Sequence, residues 1–505
     1  MPSLIVRLTR GVAFAAAVGL LPVAALATGG TLGAAPDASS GRGSPLAPAD
    51  DAQARLNAPV LSARPDEGWV FHGRNMKWSA AEATNSPACH AVYPVCVHWT
   101  EGGTAAPPAT DGDSDGVPDQ VEDSLAAAAT SWETIVNHLG FRAPLPDGRS
   151  RFDGGNTKFD IYLADTGATN LGGYVSSDDP RLADGSNYKF RDVSAFMVVD
   201  NDFRSGQFPD GTADGTMKVT IAHELFHASQ FAYDYAEDRW FTEGTATWVE
   251  DEVFDSIDLN RGALSKSPIG VTTTSLDFGR NGHEYGSWLF FRYLSEKFGT
   301  NIIKRAWRLA DDGATQPSTD RLRTFSMAAL RRALTEQDRD LQRVFASFAR
   351  DNLRPEVTYD EGATYPKPFS YHYLLDRQAG DSGWLGLPLD HMSSAYATFV
   401  PGDDVRRKGT VKLLVDGPPR KLGSKFQVTV RFSSGGSKDY SISLDRRGRG
   451  SLRVAFGRHS VLGVDIAMIN ASTRMRDCYK HATPYSCSGT PADDGRSFQV
   501  RARLP

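Results

Sequence analysis

The chain has little cysteine: four in 505 residues, with Cys89 close to Cys96 and Cys478 close to Cys487. The two clusters are separated by almost the whole chain, which argues against one thiolate metal centre. They read as two local disulfides, Cys89 with Cys96 and Cys478 with Cys487, the cysteine usage of an exported protein. Positive charge is not in excess either. Lys and Arg number 55 against 61 Asp and Glu, a formal charge of −6 with a pI of about 6.0, so no basic field argues for a nucleic-acid partner. Beyond residue 27 no run is long or apolar enough to span a membrane. Nor is there an internal repeat. What remains is an ordinary globular composition, 40% hydrophobic, in a chain longer than one typical domain.

Residues 1–27 read as a signal peptide, with Arg7 and Arg10, an apolar stretch from Gly11 to Leu26, and the small-x-small ending Ala25-Leu26-Ala27. No cysteine follows the cleavage site, so a lipid anchor is not expected. The protein is expected to be secreted, free or associated with a cell wall. Residues 28–64, rich in Ala, Gly, Ser, Pro and Asp, are expected to form a disordered leader or pro-segment. From 65 to 375, short β-type runs such as Val95–Trp99 and Lys158–Leu163 give way to helical periodicity, which predicts one α+β unit. From 376 to 505 the pattern changes to alternating runs punctuated by glycine, at Gly409–Val415, Lys425–Arg431, Tyr440–Leu444 and Gly463–Ile469. That spacing predicts a C-terminal all-β sandwich.

The most informative segment is His223-Glu224-Leu225-Phe226-His227. Thr216 to Tyr233 lacks Gly and Pro and has helical spacing, so the two imidazoles fall one turn apart on one face, with a carboxylate beside them. This is the pattern of a zinc site with its own general base. Zinc needs a third protein ligand and an open position. The HExxHxxGxxH continuation is excluded, because Gln230 and Tyr233 occupy the Gly and His positions. Glu243, in Trp240-Phe-Thr-Glu-Gly-Thr-Ala-Thr-Trp248-Val-Glu250, is the expected third ligand, with Glu237 and Asp238 in the preceding turn as rivals.

HExxH followed by W-x-x-E-G-x-A resembles the gluzincin branch of zinc peptidases. The spacing from His227 to Glu243 is shorter than in gluzincin aminopeptidases, the Trp-Asn insertion is missing, and no G-x-M-E-N-like element is present. Taken in order, V-H-W-T, the Asp-rich loop, HELFHASQFAYD, W-F-T-E-G-T-A-T-W, Y-G-S-W-L-F-F-R-Y-L and the β-rich tail resemble a family of secreted bacterial metalloproteases known from myxobacteria. The resemblance implies a zincin-like domain: a small mixed sheet, an active-site helix and a helical lower lobe. It also implies a zinc-dependent metalloendopeptidase acting on protein or peptide substrates, and a monomer is expected.

In that chemistry Glu224 is the general base, and a Tyr or His from a later helix is the donor to the developing oxyanion. Tyr285 is the preferred donor and His283 the second. Glu250 and Asp251, two turns beyond Glu243, are candidates to orient the imidazoles. Ser194–Asp200 reads as a strand able to pair with an extended substrate. The alternatives are a catalytically silent binding or adhesion protein and a zinc aminopeptidase.

A second constellation, Asp111-x-Asp113-x-Asp115-Gly116-x-x-Asp119-x-x-Glu122, has the oxygen spacing of a calcium loop, with Gly116 at the sharp turn. The preceding Ala105-Ala-Pro-Pro-Ala is no helix, so the expectation is a calcium loop without the EF-hand frame.

Overall fold

The computed structural model describes residues 87–150, 153–180, 192–311 and 324–505, together with 64, 65, 70, 71, 74, 75 and 78. The expected signal peptide and leader lie outside the described residues, apart from residue 64. That residue is no leader. Arg64 is fully buried, paired with Asp147 at 2.6 Å, Asp178 at 2.8 Å and Asp160, and its guanidinium lies 5.3 Å from the Phe196 ring.

The first unit is built on a five-stranded mixed sheet: β1 (Ala88–Cys89), β2 (Val95–His98), β3 (Phe159–Ala164), β4 (Gly173–Ser176) and β5 (Phe196–Asp200), in the order β1-β2-β3-β5-β4. The central pairs β2/β3 and β3/β5 are parallel and both edges antiparallel. Every residue of β2, β3 and β5 is buried, as expected for parallel strands covered on both faces. Alternate side chains divide between two cores. Ile161, Leu163, Met197 and Val199 face the large helical core, while Tyr162, Ala164, Phe196 and Val198 face a smaller one containing Trp78. The expectation for Ser194–Asp200 needs correction: β5 is paired on both sides, so its backbone groups are committed. Among the described residues the edge strands of this sheet are β1 and β4.

Helices α1 (Asp119–Trp132) and α2 (Ala213–Phe231) pack on the sheet. They are followed by α3 (Arg239–Val253), the single turn α4 (His283–Gly286), α5 (Trp288–Phe298), α6 (Asn301–Ala310), α7 (Ser326–Thr335) and α8 (Leu341–Asp351). A ladder of aromatics joins them. Phe241 stacks on Trp307 at 4.5 Å, and Trp240 on Phe291 at 5.6 Å.

The C-terminal region is β-rich. One sheet holds β6 (Ser370–Leu375), β8 (Ser393–Pro401), β10 (Ser424–Phe432), β11 (Ser437–Ser441) and β13 (Val461–Asn470), in the order β11-β10-β13-β8-β6. The other holds β7 (Leu385–Leu389), β9 (Thr410–Asp416), β12 (Arg449–Ala455) and β14 (Arg496–Arg503), in the order β12-β9-β14-β7. Both contribute to one apolar core containing Phe399, Val411, Ile466 and Phe498. Because β6 pairs in parallel with β8, the sandwich begins at residue 370 and not at 376. The two units share apolar packing, since Tyr396, Ala467 and Ile469 extend the helical core and the Tyr396 hydroxyl donates to the Ala349 carbonyl at 2.8 Å.

Candidate metal centre

Helix α2 starts at Thr212, whose hydroxyl accepts from the Gly215 amide at 3.0 Å. It carries His223 and His227 toward α3, where Glu243 is the fifth residue. The three meet. Glu243 Oε2 lies 3.3 Å from His223 Nε2 and 3.2 Å from His227 Nε2, and the two Nε2 atoms are 3.0 Å apart. Ligand atoms bound tetrahedrally at zinc–nitrogen and zinc–oxygen distances stand about 3.4 Å from one another, so the spacing fits a single small cation.

The outer ring nitrogens fix the orientation. His223 Nδ1 lies 2.7 Å from Glu250 Oε1, and His227 Nδ1 2.7 Å from Gln230 Oε1. The Gln230 amide is itself oriented, its Nε2 donating to the Thr242 carbonyl at 2.9 Å and to the Thr245 hydroxyl at 3.1 Å. Its oxygen therefore faces His227 and takes the Nδ1 proton, which leaves the Nε2 lone pair directed inward. Burial pulls the His223 imidazolium down, but Glu243 and Glu250 outweigh it and hold the ring up at about 10. Burial pushes Glu243 up, and the charges of His227 and Arg239 carry it well below the usual carboxylate range. The carboxylates thus favour a positive charge at this point, a proton or a divalent cation competing for the same Nε2.

Arg239, four residues before Glu243, escaped the sequence reading. It approaches the other carboxylate oxygen, Oε1, at 3.8 Å, bonds Glu284 Oε1 at 3.1 Å and lies 3.5 Å from the Tyr285 hydroxyl. Its position leaves Oε2 to the histidines. The signal available in the sequence was the i, i+4 spacing to Glu243; Gln230 likewise stands three residues after His227.

Glu224 is 3% exposed, and its charge bears on His223, Glu250, Tyr285 and the Tyr174 hydroxyl on edge strand β4. The Tyr285 ring lies 6.1 Å from that of His223, and burial, then Glu243, push its hydroxyl well above the ordinary range. It remains an O–H donor. His283 turns elsewhere: its Nδ1 bonds the Lys266 carbonyl at 2.6 Å, and burial lowers its pKa to about 4. Asp251 also departs from expectation. It pairs with Arg292 and accepts from Asn260 at 3.2 Å, near Asp258 and Glu361, which Arg261 bridges at 2.9 and 2.8 Å. The rivals Glu237 and Asp238 face away, accepting from the Ser326 amide and the Ser326 hydroxyl.

In the Asp-rich loop, carboxylate oxygens of Asp111, Asp113 and Asp115 gather within 4.8 Å of one another. Gly116 takes a φ of 93° at the turn, and its amide donates to Asp111 at 3.0 Å. Asp119 and Glu122 stand outside this trio, in the first turn of α1, where Asp119 Oδ1 accepts from the Gly112 amide at 2.8 Å. Burial and the surrounding Asp charges raise Glu122. Both expected disulfides are present, and among the described residues no helix is long and apolar enough to cross a membrane.

No curated protein matches the chain. Among solved structures it is similar to CorA, a surface-associated copper-binding protein of Methylomicrobium album BG8, at 10% identity over 27% of this chain and 100% of that one, with a TM-score of 0.16. It is also similar to BtGH115A, a family GH115 4-O-methyl-alpha-glucuronidase with specificity for decorated arabinogalactans, at 8% identity over 57% of this chain and 30% of that one, with a TM-score of 0.13. Likeness at that level carries no argument about fold or activity. A family model described as a family of unknown function, DUF6055, matches residues 64–337, and with more than half of its length matched the chain belongs to that family.

Proposed function

We propose that the protein is a secreted, zinc-dependent metalloendopeptidase with a zincin-like catalytic domain. The observation that carries the reading is the convergence of His223 Nε2, His227 Nε2 and Glu243 Oε2 while both Nδ1 atoms are tied outward, beside the buried carboxylate of Glu224. Two imidazoles and one carboxylate suit zinc best among the common divalent ions. When bound there, zinc supplies an acidified water and a polarised substrate carbonyl.

The chain's own groups do the rest. Glu224 accepts the proton of the attacking water on a carboxylate oxygen and returns it to the leaving amine nitrogen. Tyr285 keeps its proton and donates from its hydroxyl to the substrate oxygen as that oxygen gains charge. Arg239 holds Glu243 Oε1 so that Oε2 stays with the histidines. Edge strand β4, which among the described residues pairs only with β5, is the strand to which an extended peptide would add. In the Asp-rich loop we place calcium, held by Asp111, Asp113 and Asp115.

The test pairs the native protein with Glu224→Gln, measuring bound zinc and cleavage of denatured casein and of end-blocked peptides. Zinc in both with cleavage only by the native chain is the expected result. Zinc in both with cleavage by neither would transfer the reading to a silent binding protein. Cleavage only of peptides with a free amino terminus would make it an aminopeptidase, and zinc in neither would end the metal assignment.

A further inference from the structure

We propose that the outer face of the four-stranded sheet binds an anionic polysaccharide, independently of the metal centre. Charge is unevenly distributed along the chain. Residues 370–505 hold 21 Lys and Arg against 12 Asp and no Glu, a formal +9, while the remaining 369 residues hold 34 against 49, a formal −15. The sandwich is the basic half of an acidic protein.

Part of that charge is gathered in register. Lys412 on β9 stands directly opposite Arg453 on β12 and directly opposite Arg503 on β14, and all three are exposed while Val411, Leu413, Val454 and Ala502 between them are buried. Neighbouring strands lie about 4.8 Å apart, so three cations form one cross-strand row. Like charges placed directly opposite destabilise a sheet, so the row does not serve the fold. Arg503 is paired with Asp381 at 3.1 Å, but among the described residues no carboxylate pairs with Lys412 or Arg453. The exposed triplet Arg406-Arg407-Lys408 leads into the same end of β9.

A polymer of phosphates would need nothing more than these cations. This face has an aromatic as well. Trp384 is 41% exposed and immediately precedes β7, whose Leu385, Leu387 and Leu389 point into the sandwich core. Alternation puts Trp384 on the outer side, and the pairs Leu385 with Val500 and Asp381 with Arg503 place it beside Arg501, which Asp381 holds at 2.5 and 2.7 Å. Asp381 thus takes up Arg501 and Arg503, and Lys412 and Arg453 are the cations of the row left to a ligand. A flat indole on the same face as such cations is the pairing that recognises a sugar ring carrying carboxylate or sulfate: the ring stacks and the acid groups meet Arg and Lys.

The experiment uses the whole secreted chain and measures binding to polygalacturonate, heparin and inorganic polyphosphate at low salt. Polygalacturonate against heparin separates carboxylate from sulfate recognition, and preference for either supports the proposal. Lys412→Glu is expected to weaken binding about tenfold while leaving Tm unchanged or raised, because the new carboxylate sits between Arg453 and Arg503. Trp384→Ala is expected to weaken binding to the two polysaccharides and not to polyphosphate. Unchanged binding by Lys412→Glu would overturn the proposal. So would equal binding of all three polymers with no effect of Trp384→Ala, which would mean an unselective cationic surface. Arg453→Gln, which reverses no charge, repeats the test should Lys412→Glu fold poorly.

Discussion

At the scale of single residues, the centre depends on groups that do not touch the proposed ion. Gln230→Leu keeps the side chain's bulk but removes the acceptor of the His227 Nδ1 proton, so the ring loses the bond that fixes its orientation. Losses of this kind lower metal affinity about 10–100-fold, and zinc titration against a competing chelator should show that drop with the fold intact by circular dichroism. The HExxH pair was legible in the sequence because helical periodicity decides which residues share a face, and Glu243, on the next helix, because W-x-x-E-G-x-A resembles the setting of a gluzincin ligand. The same arithmetic distinguishes Glu250 from Asp251. Seven residues past Glu243 falls about 20° short of two turns, while eight is displaced by about 80°, and the structure has Glu250 on His223 and Asp251 on Arg292. The spacings of Gln230 and Arg239 were visible in the sequence but their partners were not, since these depend on how an amide or a guanidinium turns once α2 and α3 pack. The choice between Tyr285 and His283 depended likewise on the Lys266 carbonyl, a contact 17 residues away in sequence.

At the scale of elements, the proposed metal centre requires α3 to lie close to the turn that carries Tyr285, and Gly244, next to Glu243, permits it. A Cβ on Gly244 would stand 2.9 Å from the Phe291 ring, 3.2 Å from Ser287 Cβ and 3.3 Å from the Glu284 carbonyl. Gly244→Ala gains about 1 kcal/mol in helix propensity but meets an overpacking cost of about 1–3 kcal/mol, so Tm should fall and peptide cleavage should fall further as Tyr285 moves. A rise in Tm without loss of activity would remove this role. The same helix is braced from outside its own unit. The loop closed by Cys478 and Cys487 delivers the Cys487 amide to Asp238, at the head of α3, at 2.8 Å, and the Ser486 amide to Asp277, near α4, at 3.1 Å. Closing so short a loop is worth roughly 2–3 kcal/mol. Replacing both cysteines by serine should therefore loosen the loop and lower zinc affinity, although neither residue is near the centre in sequence. Strands β2, β3 and β5 of the first sheet were visible as apolar runs, but the short β1 and β4 and the strand order were not. Only pairing shows that β5 is internal and that β1 and β4 are the edges among the described residues.

At the scale of the whole molecule, the junction between the helical unit and the sandwich turns on one buried histidine. His391 is fully buried, with Nε2 2.7 Å from Asp277 of the helical unit and Nδ1 2.7 Å from Asp494 of the sandwich; the Ser275 hydroxyl lies 3.1 Å from Nδ1, and the Tyr485 ring packs alongside. Burial pulls its pKa down, but Asp277 and Asp494 hold it up at about 10. A group whose proton is bound more tightly in the folded state gives stability that is complete below its ordinary pKa, 6.5, and is lost as pH rises to about 10. Asp147, Asp200 and Asp238, raised to about 7 mainly by burial, shed their own contribution lower, between 3.8 and 7. His223, also held up at about 10, loses its contribution over the same range as His391, so His391 is isolated by the difference between the native chain and a variant at that position, in which His223 cancels. Denaturant unfolding of the native chain should show stability falling from pH 7 to 10. His391→Phe, which leaves Asp277 without its partner, should be less stable by about 3–5 kcal/mol at pH 7, with most of the difference gone at pH 10. A constant difference across that range would mean that the ring serves by its shape and not by its charge.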